Sequence, residues 1–249
     1  MIIRPKVAAA EPLCATANCP AGTAALTPPI AVLCDFDGTI STRDTVQALF
    51  ASFGSQCCRD LNRKWVLGEI SSRQNYEGCL GSTSATRDQM ECVLSAITID
   101  PFFPAFLRWC SDQSYAFAIV SDGLEWAIRY VLGLYGVHGP TVFATHMQYV
   151  TGGYRFDFPW YHPDLPLRGI SKPHIIRRYQ AQGYRVVYVG DGLTDLEALG
   201  VADVVFAKGK LLSLARERSK QVLAFDDLRQ VTAQWGQVGQ LLAAASSSE

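Results

Sequence analysis

The sequence predicts an α/β fold: a mostly parallel sheet between layers of helices, with a helical segment inserted near the start. Three observations carry this. Short apolar runs end in Asp, Ser or Gly at residues 31–34, 116–120 and 186–189, the pattern of buried parallel strands whose carboxyl ends open onto a site. The stretches between these runs repeat apolar residues at helical spacing. At 249 residues and 49% hydrophobic content, the chain is long enough to bury a large core.

The elements follow in order. Residues 1–30, rich in Ala, Pro and Thr and without a clear apolar signal core, are read as a flexible leader. The first strand ends at Cys34 and runs into Asp35-Phe36-Asp37-Gly38-Thr39-Ile40. Residues 43–100 are too long for a single crossover, and Val46, Leu49, Phe50 and Phe53, then Met90, Val93, Leu94 and Ile97, fall at helical spacing. We read this span as a helical cap, and residues 31–42 with 101–249 as the core. Pro101 begins a core helix through Phe106, Leu107 and Trp109 that feeds a strand at 115–123. A hairpin is expected over 141–158, turning at Thr151-Gly152-Gly153, followed by a loop at 158–163 near the cap. Ser171-Lys172-Pro173 opens a helix with an apolar stripe at Ile175, Ile176 and Tyr179. A strand at 185–190 reaches Asp191 and Asp195. Beyond it lie a strand from Val204, a helix at 210–218, a short strand at 222–224 and a final helix capped by Asp226.

The chemistry concentrates at the strand ends. Asp35 and Asp37 stand two residues apart where an apolar strand opens, so one carboxylate can attack while the other handles a proton. Asp-x-Asp-Gly also occurs in turns and calcium loops. A calcium loop needs further oxygen ligands and a closing Glu, which Ile40, Val46 and Ala48 do not supply. Taken singly, Ser121 suits a helix cap, Lys172 a surface cation, and Asp191 and Asp195 turns. Taken in this order at successive strand ends, they form one constellation.

These residues resemble the four signature motifs of the haloacid dehalogenase superfamily, in the Asp-x-Asp-Gly-Thr form of its phosphatases, over roughly residues 31–230. The resemblance implies a Rossmann-like three-layer core with an inserted cap. It implies Asp35 as nucleophile, Asp37 as general acid and base, Lys172 as the catalytic cation, and Ser121, Gly123 and Thr39 as substrate-binding residues. It also implies Asp35, Asp37, Asp191 and Asp195 around a metal ion. So many carboxylates beside a phosphate dianion repel one another, and a divalent cation relieves this; hard oxygen donors with a phosphate partner point to Mg²⁺. Phosphate monoesters hydrolyse slowly unaided, so nucleophile, acid and charge neutralisation are needed together. Asp122, beside the phosphate position, is expected to point away.

The acid at Asp37 excludes the carbon-attacking dehalogenases, and Phe36 replaces the lysine of the ion-pumping relatives. Within the superfamily the cap placement is similar to the phosphoserine phosphatase subclass. Asp44-Thr45, Gly68-Glu69-Ile70-Ser71, Ile99-Asp100-Pro101-Phe102 and 190–198 resemble its methionine-salvage branch, which acts on 2-hydroxy-3-keto-5-methylthiopentenyl-1-phosphate. Residues 157–170 lack the cysteines common there. Phosphoserine or another small metabolite phosphate is the alternative substrate. A non-catalytic regulator that binds a phosphometabolite, or a phosphotransferase, is the alternative of another kind.

Composition bounds the partners. A net charge of −1 with 18% charged residues gives no footprint for nucleic acid or an anionic membrane, and no apolar run is long enough to span a bilayer. Residues 41–100 hold six Lys and Arg against seven Asp and Glu, so the cap is no basic funnel; a small phosphate ester fits it better than a polyanion. Arg59 and Arg73 are candidate substrate-reading cations there. His162 is read as a solvated loop residue, and His138, His146 and His174 as structural. The eight cysteines show no zinc spacing and are read as free thiols of a reducing cytoplasm.

Overall fold

The computed structural model describes residues 28–218 and 220–246, so the expected leader lies, up to residue 27, outside the described residues. Ile30–Cys34 (β1) occupies the centre of a seven-stranded sheet. Its other strands are Ala116–Leu124 (β2), Thr141–Val150 (β3), Gly153–Asp157 (β4), Arg185–Gly190 (β5), Val204–Ala207 (β6) and Leu223–Ala224 (β7). Their order is β4-β3-β2-β1-β5-β6-β7. All pairs are parallel except the β3–β4 hairpin at one edge.

The central strands are buried on both faces because every second side chain feeds a different layer. Val32 and Cys34 of β1, Val187 and Val189 of β5 and Phe206 of β6 join the larger cluster. Ala31, Leu33, Val186, Tyr188 and Ala207 join the smaller one on the opposite face. Four helices follow β1: Thr45–Phe53 (α1), Cys58–Val66 (α2), Ser72–Leu80 (α3) and Arg87–Leu94 (α4). Their starts are locally encoded: Asp44 accepts from the Gln47 amide, and Ser71 with Gln74 and Thr86 with Gln89 form capping boxes. Phe103–Asp112 (α5) and Glu125–Leu134 (α6) precede and follow β2, and Lys172–Gln180 (α7) precedes β5. After β5 come a 3₁₀ segment at Leu193–Gly200, then Gly209–Glu217 (α8), Leu228–Ala233 (α9) and Trp235–Ser246 (α10).

Two expectations are corrected. The C-terminal helix is two helices, and its cap is Asp227, which accepts from the Gln230 amide, rather than Asp226. Asp226 is instead held by the Gln230 side chain. Second, the cysteines are not all free: a disulfide joins Cys58 of α2 to Cys79 of α3, with Cα atoms 4.6 Å apart. The two lie 21 residues apart, a pairing made by the packing of α2 on α3 that spacing cannot reveal. Cys34, Cys57, Cys92 and Cys110 are free, Cys14 and Cys19 lie outside the described residues, and the cytoplasmic expectation loses the ground it had in free thiols. Among the described residues no helix is long and apolar enough to cross a membrane.

Candidate active site

The chain leaves β1 toward β2 on one side and returns to β5 on the other, so the carboxyl end of β1 lies at the point where the strand order reverses. In open α/β sheets that crevice binds ligands. Asp35 follows β1 directly, its amide still donating to the Val189 carbonyl of β5 at 2.9 Å. Ser121 stands near the end of β2, Asp191 just past β5 and Lys172 at the first turn of α7. Four elements thus bring together side chains from across the sequence.

Lys172 is the hub. It is 1% exposed, and its Nζ donates to Asp35 Oδ1 at 2.9 Å, Asp195 Oδ1 at 2.6 Å and Thr194 Oγ1 at 3.2 Å. Asp195, fully buried, also accepts from the Tyr188 hydroxyl at 2.5 Å, and its Oδ2 takes the Asp191 and Gly192 amides at 3.0 and 2.8 Å. Both oxygens of Asp195 therefore hold Lys172 and the Asp191 loop in place. Asp191 Oδ1 accepts from the Thr39 hydroxyl at 2.8 Å. Gly38, at φ 83°, passes so close that a Cβ would sit 2.5 Å from Asp191 Oδ2, which only glycine accommodates.

Oxygens of Asp35, Asp191 and Asp195 all come within 4.8 Å of one another. Burial, then the charge of Asp195, raises the Asp35 carboxyl well above the ordinary range while Lys172 pulls it down. Burial likewise raises Asp191, against the Thr39 hydrogen bond. Burial lowers Lys172, but the Asp195 and Asp35 charges outweigh it and hold the ammonium protonated. One lysine facing three carboxylates leaves surplus negative charge in hard oxygen donors, and this set fits a divalent cation.

Asp37 is not part of that carboxylate cluster. Its Oδ1 accepts the Thr45 amide at 2.7 Å, at the positive start of α1. Burial, and then the facing Asp44 carboxylate, push it up to about 8, so it carries a proton at neutral pH. Gly123 runs against it: a Cβ there would lie 2.7 Å from Asp37 Oδ2 and 3.1 Å from Ser121 Oγ. The Gly123 amide donates to Ser121 Oγ at 3.0 Å.

Above these groups opens a cavity of about 340 Å³, with Asp35, Asp37, Ser121, Gly123 and Asp191 on its floor and Val46, Gln47, Phe50, Trp65, Asn75 and Tyr76 from α1–α3 as its roof. That volume is at the small-metabolite end of the range for ligand sites. The roof is tied down: the Tyr76 hydroxyl donates to the Asp122 carbonyl at 2.7 Å, and the Trp65 indole to Ser72, whose amide donates to the Leu167 carbonyl.

Several expected residues sit elsewhere. Thr39 is 1% exposed and orients Asp191 instead of lining the cavity. Asp122 contributes to the lining, its carbonyl accepts from the Tyr76 hydroxyl, its Oδ1 is buried without a partner among the described residues, and burial lifts its carboxyl to about 6. Arg59 is exposed, and Arg73 pairs with Glu77 over the Phe158 ring; neither reaches the cavity. Among the described residues lining it, Lys210 is the cation present. His162 stacks on His174 at 4.5 Å, outside the cavity. The motif reading missed Tyr188 and the roof residues. The signal for Tyr188 was a phenol inside a fully buried strand, which needs an internal partner; the roof residues carried none beyond helical spacing.

The geometry agrees with comparisons to known proteins. Residues 32–200 match the haloacid dehalogenase-like hydrolase family. A 2-hydroxy-3-keto-5-methylthiopentenyl-1-phosphate phosphatase of Exiguobacterium sp. is 28% identical over 209 residues, covering 81% of this chain and 95% of that protein. Pdp3-interacting factor 1 of Schizosaccharomyces pombe is 32% identical, covering 76% of this chain and 86% of that protein. A phosphoserine phosphatase solved as a phospho-aspartyl intermediate analogue shares the fold, with TM-score 0.64 at 17% identity, covering 83% of this chain and 99% of that one. With its motif residues gathered at the switch point of the sheet, the chain belongs to the haloacid dehalogenase-like hydrolase family, among its phosphatases.

Proposed function

We propose that this hydrolase removes phosphate from a small organic phosphate monoester through an aspartyl phosphate on Asp35, with Mg²⁺ as cofactor, and that its substrate is 2-hydroxy-3-keto-5-methylthiopentenyl-1-phosphate. The observation that carries the reading is the buried Lys172–Asp35–Asp195 network beneath a small cavity.

Lys172 fixes one Asp35 oxygen, which leaves the other to attack phosphorus in line. As that bond forms, the ester P–O bond breaks and protonated Asp37 gives its proton to the leaving alkoxide. Asp37, now a carboxylate, takes a proton from water; the hydroxide oxygen attacks phosphorus, and the Asp35 carboxylate departs from the released phosphate. Ser121 and the Gly123 amide bind phosphate oxygens, and Asp35, Asp191 and the Asp37 backbone carbonyl would hold Mg²⁺. The ion, when bound, neutralises the phosphoryl charge and orients it toward Asp35. Residues 43–100 act as the cap that excludes water and contacts the leaving group.

The named substrate rests on the relatives and on the roof, where Val46, Phe50, Trp65 and Tyr76 present apolar and aromatic surface suited to a thioether tail. Phosphoserine is the second reading, favoured by Lys210 and Asp44 on the lining, charges opposite to those of an amino acid. Phosphate release from both compounds, with Mg²⁺ and with EDTA, separates them. Metal-dependent turnover with higher kcat/KM for the enol phosphate is expected. Preference for phosphoserine overturns the substrate, and no release from either overturns the enzyme.

A further inference from the structure

Three amide side chains, one from each of the first three cap helices, meet at the cavity roof. Gln47 of α1 and Asn62 of α2 exchange two hydrogen bonds, Gln47 Nε2 donating to Asn62 Oδ1 at 3.1 Å and Asn62 Nδ2 to Gln47 Oε1 at 2.9 Å. Asn75 of α3 donates through Nδ2 to the same Asn62 Oδ1 at 3.3 Å. Gln47 and Asn75 line the cavity; Asn62 does not. Asn75 is 3% exposed, and burying an amide there is unfavourable unless its hydrogen-bonding groups find partners.

The arrangement leaves defined capacity. An amide has two N–H donors and one acceptor oxygen. Asn75 Nδ2 uses one donor on Asn62. Its Oδ1 lies 3.5 Å from Cys79 Sγ, but a sulfur bonded to Cys58 has no hydrogen to give. Gln47 Nε2 also retains one N–H.

The scaffold holding the amides is specific. Cys58 and Asn62 are four apart on α2, and Asn75 and Cys79 four apart on α3, so on each helix the pair shares a face. The disulfide and the Asn62–Asn75 hydrogen bond are therefore two successive rungs between the same two helices. Asn62 thus stands braced between α1 and α3.

We propose that Gln47 and Asn75, oriented by Asn62, are specificity-determining residues that select a leaving group bearing hydroxyl or carbonyl oxygens. A neutral amide pair can donate to a carbonyl and accept from a hydroxyl. It offers no counter-charge to a carboxylate or an ammonium, so it discriminates by hydrogen bonding. This inference rests on the phosphatase reading and goes beyond it by assigning the residues and chemical class that set substrate choice. Asn62 is a positioning residue, acting through the other two.

The test compares dihydroxyacetone phosphate, a hydroxy-ketone ester, with phenyl phosphate, whose leaving group is as small but lacks those oxygens. Turnover of phenyl phosphate with Mg²⁺ by the unaltered protein checks the phosphatase reading separately. Asn75→Leu is expected to raise KM for dihydroxyacetone phosphate about tenfold relative to KM for phenyl phosphate, the scale of one lost hydrogen bond, with kcat for dihydroxyacetone phosphate little changed. Asn62→Leu, which touches no ligand, is expected to shift the same KM in the same direction, and Asn62→Gln to restore part of it. If Asn75→Leu does not fold, Gln47→Leu on half-buried α1 provides the same readout. Reducing the Cys58–Cys79 bridge with dithiothreitol is expected to weaken the preference as Asn62→Leu does. Equal KM changes on both substrates, or no preference for dihydroxyacetone phosphate in the unaltered protein, overturn the proposal.

Discussion

Replacing Lys172 with Met tests the buried charge network directly, since Met keeps the length and apolar stem and removes the ammonium. In the folded protein Nζ contacts Asp35 and Asp195 at 2.9 and 2.6 Å, with side-chain exposures of 6% and 0% for the two acids. Removing one partner from such a buried ion pair destabilises by about 3–5 kcal/mol, because the remaining charges are left uncompensated. For a domain of this size that corresponds to a Tm lower by roughly 6–20 °C. The loss must depend on pH. The Asp195 and Asp35 charges raise the Lys172 pKa despite burial, so its contribution is complete below the unfolded lysine value and disappears only in strongly alkaline solution. Between about pH 5 and 8 the lysine contributes constantly, and the variation comes from the stranded carboxylates, which can take up protons at the acid end. Thermal unfolding of the metal-free variant is therefore expected to show a larger deficit at about pH 8 than at about pH 5. A Tm equal to that of the unaltered protein would refute the network. A deficit identical at both pH values would refute its electrostatic origin.

Three further outcomes are expected. Asp35→Asn keeps shape and removes the nucleophile, so phosphate release should fall by several orders of magnitude while the circular dichroism spectrum is unchanged; appreciable turnover would contradict covalent catalysis. The metal-free protein should lose stability as pH rises, because Asp37 is pushed up to about 8 and Asp122 to about 6, so the folded state holds protons that the unfolded chain has released. That contribution is full below the unfolded carboxylate value and lost as pH passes the folded ones. Burial also raises the Asp35 and Asp191 carboxyls that would hold Mg²⁺, so protons compete with the ion there, and Mg²⁺ should raise Tm more at about pH 8 than at about pH 5; equal gains contradict this sign. Thr39→Val removes the hydrogen bond to Asp191 and should weaken Mg²⁺ binding about tenfold by calorimetry, as loss of a group that orients a ligand does; unchanged affinity would leave Thr39 without that role.

The sheet and its catalytic edge were legible because each motif combines two independent signals. An apolar run marks a strand, and polar residues at its carboxyl end mark the crevice, so Asp35, Ser121 and Asp191 could be placed together from the pattern, while Lys172, at the first turn of α7, joined them through the motif resemblance. The roles within the site were less legible. Thr39 belongs to the Asp35 motif by spacing, yet its hydroxyl turns back to Asp191, a partner 152 residues away. Asp195 was grouped with the metal, and it stands beside Asp35 and Asp191, but its oxygens also serve Lys172, Tyr188 and two amides, a role the sequence did not reveal. The segment 43–100 showed the converse. Its helix starts were encoded locally by Asp44, Ser71 with Gln74, and Thr86 with Gln89. Which side chains face the cavity depends on how α1, α2 and α3 pack on one another, so Asn75 and Tyr76 were hidden while the exposed Arg59 and Arg73 drew notice. The Cys58–Cys79 bridge was invisible for the same reason.

Phosphoenzyme trapping reaches the central claim most directly. The protein is mixed with Mg²⁺ and substrate, quenched in acid during turnover, reduced with borohydride and digested. An aspartyl phosphate at position 35 would be reduced to homoserine in the peptide spanning residues 31–40, and Asp35→Asn would give none. Steady turnover with position 35 unmodified, or homoserine at another aspartate, would contradict the assignment of Asp35 as nucleophile.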